Sequence, residues 1–86
     1  MGKKHDRTLA AIFARPTRAN LAWEDVLSLV VHLGGAVHVD RGGSMREFVL
    51  NGVRAIFHEP HPRHEVPQAM IRRLRNFLDE AGIEHP

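Results

Sequence analysis

An Asn-Gly dipeptide sits at residues 51–52, between MREFVL and VRAIFH. No other feature of the chain limits its folding so sharply. A type I′ turn needs positive φ at both central residues, and Asn-Gly tolerates it, so alternating apolar runs on either side close into a two-residue hairpin. The turn also sets the register. Leu50 faces Val53, Phe48 faces Ala55 and Arg46 faces Phe57 on one side, because side chains alternate along a strand. On the other side Val49 faces Arg54, Glu47 faces Ile56 and Met45 faces His58. The first face is apolar and is expected to be the core. The second mixes charge with an imidazole and is expected to lie open to water or a partner. Arg46 is the exception on the core side; near a strand end its head can reach out while its stem stays along apolar surface.

The rest of the chain arranges itself around that hairpin. Leu9, Ile12 and Phe13 recur at helical spacing, so residues 3–14 read as a short helix that Pro16 ends. RPTRAN is a connector. Residues 23–33 form a second helix with a stripe of Trp23, Val26, Leu27, Val30 and Leu33. Glu24 and Asp25 in its first turn suit the helix dipole, and Gly34-Gly35 closes it. Residues 36–40 alternate as a first strand, and Arg41-Gly42-Gly43-Ser44 turns into the hairpin. HEPHPRHEVP holds prolines at 60 and 62 and reads as a loop. From about Pro67 to Ala81 a last helix carries Ile71, Leu74, Leu78 and Ala81 on its core stripe, with Met70 and Phe77 beside them, and Gly82 stops it. The order α–α–β–β–β–α predicts an α+β fold, a three-stranded antiparallel sheet with helices packed on one face.

Eighty-six residues suit a single domain over 1–86. There is no cysteine, which excludes a disulfide framework and a cysteine zinc site. No stretch approaches the roughly 20 apolar residues of a membrane span, and the N-terminal apolar run is too short for a signal peptide, so no membrane is expected and the location is read as cytoplasmic. The net charge is +2 with a sequence pI near 9.9. A mildly basic surface fits nucleic-acid binding and an ordinary solvated exterior equally.

Several short motifs, in order, resemble one family. They are LGG at 33–35, GSMREF at 43–48, the hairpin, His61-Pro62, and FLDEAGI at 77–83. This sequence resembles the HicA toxins of bacterial HicAB toxin–antitoxin modules over about 23–83, which form the core of the reading, with 1–20 as an N-terminal helical extension. The resemblance implies a fold like double-stranded-RNA-binding domains, ribonuclease action on messenger RNA, and a HicB-like antitoxin partner. It also implies a catalytic histidine in the motif G-S-H-x-x-F. That position is Met45 here, and a thioether cannot take a proton from a ribose hydroxyl.

RNA cleavage without a metal or other cofactor needs one group to deprotonate the 2′-hydroxyl and another to protonate the leaving oxygen, and histidine suits both. The hairpin register puts His58 across from position 45, so a base lost from one strand has a replacement on its neighbour; alternatively, His58 merely ends an edge strand. His61, in the His-Pro motif, either contacts RNA or orders the loop. His58, His61 and His64 are three apart, but Pro60 and Pro62 forbid the helix that would make them metal ligands, and no metal is assigned. Ser44 reads as a turn hydroxyl or a phosphate contact. Arg46, Arg54, Arg72, Arg73 and Arg75 are the candidate RNA-binding cations, although Arg54 and Glu47 can pair across the sheet and the helix arginines can simply be solvated. Trp23 and the phenylalanines sit at core spacing rather than as base-stacking platforms. The reading is a toxin that cleaves mRNA. Its rivals are a catalytically inactive RNA-binding or antitoxin-binding HicA-like protein, and a protein-interaction module that uses the sheet face.

Overall fold

The structure is a computed structural model that describes residues 2–19, 21–39, 43–60 and 65–84. Its elements are α1 (Gly2–Ile12), β1 (Leu21–Ala22), α2 (Trp23–His32), β2 (Ala36–Val39), β3 (Met45–Leu50), β4 (Val53–His58), β5 (Glu65–Val66) and α3 (Gln68–Glu80). Asn51 and Gly52 take φ of 50° and 82°, the positive pair that a type I′ turn requires. The six β3–β4 pairs run from Leu50↔Val53 to Met45↔His58, as the turn predicts. β2 adds antiparallel to the other side of β3, giving the order β2-β3-β4. The fold is α+β, with a three-stranded antiparallel sheet, like double-stranded-RNA-binding domains.

The core lies between the sheet and the helices. Phe48, Leu50 and Phe57 from the sheet are at most 1% exposed and meet Trp23, Val26 and Val30 of α2 and Ile71, Leu74, Phe77 and Leu78 of α3. Phe48 is its hub: its ring packs on Trp23, Phe57 and Phe77 at centroid distances of 5.6, 4.8 and 6.0 Å. The sheet's other face, with His38, Glu47, Ile56 and His58, has no helix over it among the described residues.

Helices α2 and α3 stop in the same way. Gly34 N–H donates to Val31 O and Gly35 N–H to Val30 O, and at the end of α3 Gly82 N–H donates to Asp79 O and Ile83 N–H to Leu78 O. These are Schellman closures, with the glycine at positive φ. Gly35 has a second reason to lack a side chain. A Cβ there would lie 2.7 Å from Val49 O and 2.9 Å from Val30 Cγ1, so α2 and β3 meet closely only because the position is glycine. Asn51 is not confined to its turn either: its side-chain amide donates to Ala81 O at 2.8 Å, tying the hairpin tip to the end of α3.

The N-terminal helix is part of this packing. Ile12 is fully buried and Thr8 nearly so. α1 lies along the α2 flank made by Asp25, Ser28 and His32, where Lys4 pairs with Asp25 and His5 bonds Ser28 Oγ and stacks on His32. That explains why Leu29, absent from the expected stripe, is 1% exposed while Leu27 is only partly buried: Leu29 shares the flank that α1 covers. The two short strands also escaped the sequence pattern. β1 and β5 pair antiparallel through Leu21↔Val66 and Ala22↔Glu65, clipping the segment before α2 to the segment before α3. No helix among the described residues is long and apolar enough to cross a membrane.

Candidate functional site

The open sheet face is organised in rows across the strands. His38 on β2 stands opposite Glu47 on β3, which stands opposite Ile56 on β4. One row on, Met45 stands opposite His58. β3 is the central strand, so Met45 and Glu47 run down the middle with an imidazole on each flank. Directly opposed residues are about 4.5–5.5 Å apart at Cα, and diagonal ones such as Met45 and His38 about 7–8 Å. His38, Val39, Met45, Glu47 and Ile56 line a shallow depression of about 350 Å³. His38 and His58 are exposed, while Met45 and Glu47 are half-buried. The face therefore offers two imidazoles and a carboxylate around a thioether, on rigid strands. The hairpin register made His58 legible. His38 was missed, because its place beside Met45 depends on the β2–β3 register, which no two-residue turn announces.

The candidate cations separate into different roles. Arg75 is only 7% exposed. Its Nε donates to Ile12 O at 2.6 Å, and its Nη2 to Ala14 O at 2.7 Å and Thr17 Oγ1 at 2.9 Å. Burial, and then the nearby charges of Arg15 and Arg72, hold its pKa below the ordinary arginine value. A guanidinium spent on the chain that follows α1 is not presented to phosphate, so the expectation that Arg75 joins an RNA-facing patch is corrected. Arg73 is exposed but engaged: its Nη2 donates to Ile56 O at 2.7 Å and its guanidinium lies 4.6 Å from the Phe57 ring centroid. It covers the backbone of edge strand β4. Arg46 points to the core side as alternation requires. There it bonds Gly43 O at 2.6 Å, Met45 O at 3.1 Å and the Glu59 carboxylate. Arg72 and Arg54 are exposed and have no ion pair among the described residues, so Arg54 does not pair with Glu47. Ser44 is exposed, and its carbonyl accepts the Glu59 N–H at 2.8 Å, extending the hairpin ladder by one bond. His61 and His64 lie outside the described residues.

The sequence model of the family described as HicA toxin of bacterial toxin-antitoxin matches residues 23–83. The chain belongs to the HicA toxin family. No curated protein and no solved structure matches it. The HicA match begins at the first residue of α2 and ends at Ile83, the residue that completes the closure of α3. It thus takes in the whole three-stranded sheet with α2 and α3, and leaves α1, the connector and β1 outside. Family membership puts the chain on the toxin side of a toxin–antitoxin pair, and so gives it an antitoxin partner.

Proposed function

We propose that this HicA-family chain is a metal-independent endoribonuclease that cleaves mRNA in the cytoplasm and is neutralised by a HicB-like antitoxin, with residues 1–86 acting as one HicA-like unit. The observation that carries the reading is the Met45↔His58 pairing on the open face. The family resemblance puts the catalytic histidine at position 45, and His58 presents an imidazole from the adjoining strand at the same level. His58 takes the proton of a ribose 2′-hydroxyl; the resulting oxyanion attacks the adjacent phosphorus; the 5′-oxygen leaves with a proton from a second group. His38, on the far side of Met45 and opposite Glu47, and His61 in the His-Pro motif are the candidates for that second role. Arg54, Arg72 and Ser44 are exposed for phosphate contacts, while Arg46 and Arg73 take part only through the groups they brace.

The test is cleavage of a long unstructured RNA between pH 5 and 8, with chelator present. His58→Ala is expected to lose about 10²–10⁴ in rate while keeping its fold and its RNA affinity, and Met45→His to restore cleavage to that variant. Full activity in His58→Ala would remove the replacement base from the reading. One observation favours a second reading: the thioether at Met45 has no proton-accepting group. A silent parent beside an active Met45→His variant would make the chain a catalytically inactive RNA-binding or antitoxin-binding protein.

A further inference from the structure

The charge of this chain is not spread evenly. Residues 1–20 hold Lys3, Lys4, Arg7, Arg15 and Arg18 against Asp6 alone, a net +4. The family-matched residues 23–83 hold seven arginines against eight aspartates and glutamates, a net −1. The part of the chain that carries the HicA fold is therefore slightly acidic, and the whole of the positive balance comes from the added segment. Structure concentrates it further. Lys4, Arg7, Thr8 and Ala11 fall at helical spacings of three and four, so they share one flank of α1. That flank forms, with Arg18 and Leu21 and with Asp25 of α2, a cleft of about 480 Å³. Among the described residues Asp25 is the only acid on its wall, and it is paired with Lys4 at 3.5 Å. Arg7 and Arg18 are exposed and make no ion pair or hydrogen bond among the described residues. The two walls are held in place by buried structure: Ile12 sits in the core, and Arg75 grips Ile12, Ala14 and Thr17, the last of them next to Arg18.

We infer that this cleft is a phosphate-binding site for the backbone of single-stranded RNA, with Arg7 and Arg18 as its principal ligands. It lies between α1, the connector and α2, apart from the open sheet face. The inference rests on the RNA reading above and adds to it a surface that the family-matched residues do not contain. Two unpaired guanidiniums facing one cleft fit the phosphate oxygens of a polyanion, and guanidinium is the side chain best shaped for them. A matched core of net −1 gives a polyanion little attraction of its own, so the extension supplies the encounter and the sheet face the chemistry. Lys4 neutralises Asp25 and keeps the wall from repelling phosphate.

The experiment measures binding of the full chain to a short single-stranded 2′-O-methyl oligonucleotide, which lacks the hydroxyl needed for cleavage, over a range of salt. In single strands each phosphate contact contributes a slope of about 0.7 in log K against log salt. Losing both contacts in Arg7→Ala/Arg18→Ala should flatten the slope by about 1.4 and weaken binding about 25-fold at about 0.1 M salt. Arg7→Lys/Arg18→Lys, which keeps the charge, should retain most of the slope. Fluorescence of Trp23, buried in the core, checks that each variant is folded. Parent-like binding and slope in the double alanine variant would overturn this cleft while leaving the RNA reading intact. A parent that fails to bind the oligonucleotide in low salt would overturn both. Polyglutamate displacing the RNA, and losing affinity equally in the alanine variant, would assign the cleft to an acidic protein instead.

Discussion

Replacing Arg75 with alanine separates a structural arginine from a nucleic-acid ligand. In the fold its guanidinium makes three hydrogen bonds, to Ile12 O, Ala14 O and Thr17 Oγ1, across sequence separations of 63, 61 and 58 residues. Hydrogen bonds from a charged donor contribute about 1.5–3 kcal/mol each when the acceptor would otherwise be buried without a partner. Ile12 is fully buried, whereas Ala14 and Thr17 are half-buried, so water replaces part of what is lost there. Arg75→Ala is accordingly expected to cost about 2–4 kcal/mol, and Arg75→Lys most of that, since an ammonium cannot reach three acceptors as a planar fork does. For a chain of this size each kcal/mol moves the melting temperature by about 4–8 °C, so a drop of about 10 °C or more should follow. The loss should also be independent of pH near neutrality. Folding lowers this pKa, so the unfolded chain holds the proton more tightly and the group's contribution rises with pH only in the strongly alkaline range where it titrates; below that it is charged in both states. Thermal unfolding followed by Trp23 fluorescence at several pH values reads all of this. A variant that melts within about 2 °C of the parent and loses RNA affinity instead would refute the argument and return Arg75 to the surface.

Leu74 is fully buried between α3 and the sheet, so Leu74→Ala should cost about 2–5 kcal/mol in denaturant titration, and a loss under about 1 kcal/mol would contradict the packing. Gly35→Ala must push α2 away from β3, because its Cβ would meet Val49 O at 2.7 Å; a loss of about 1–3 kcal/mol is expected from the same titration. Gly34→Ala, with open space around its Cβ but a φ of 93°, should cost about 1–2 kcal/mol through backbone strain alone.

The parts of the fold that were legible in the sequence are those with a period or a pinned turn. Asn51-Gly52 fixes one register, and a period of two carries it six residues along each strand, so every β3–β4 partner follows from the turn. The stripe Ile71, Leu74, Leu78 and Ala81 is equally plain at helical spacing. What escaped had either no room for a period or a chemistry that misdirects. β1 and β5 are two residues each, too short to alternate. Arg75 reads as surface by its charge, yet it stands four residues after Ile71 and three before Leu78, inside the same stripe; position was the better guide. Arg73 is exposed as its place off the stripe suggests, but its bond to Ile56 O depends on where β4 lies. The open face was legible as a face, because alternation separates it from the core, whereas its pairing of His38 with Glu47 needed a second register.

The hold of Asn51 on α3 bears on how the protein ages. Asparagine followed by glycine is prone to lose its amide, because the unhindered glycine nitrogen can attack the side-chain carbonyl and expel ammonia. Here the nitrogen that would leave is the one bonded to Ala81 O. Loss of the amide would exchange that donor for a carboxylate facing a carbonyl oxygen at the negative end of the α3 dipole, turning a tether into a repulsion. Folding thus guards the bond on which it relies. Mass spectrometry of protein stored folded and unfolded should find the folded chain deamidating more slowly at Asn51, and equal rates would show that the tether gives no protection. Each molecule that does convert would have its hairpin tip prised from the last helix, a slow and irreversible chemical clock set at the turn that organises the sheet.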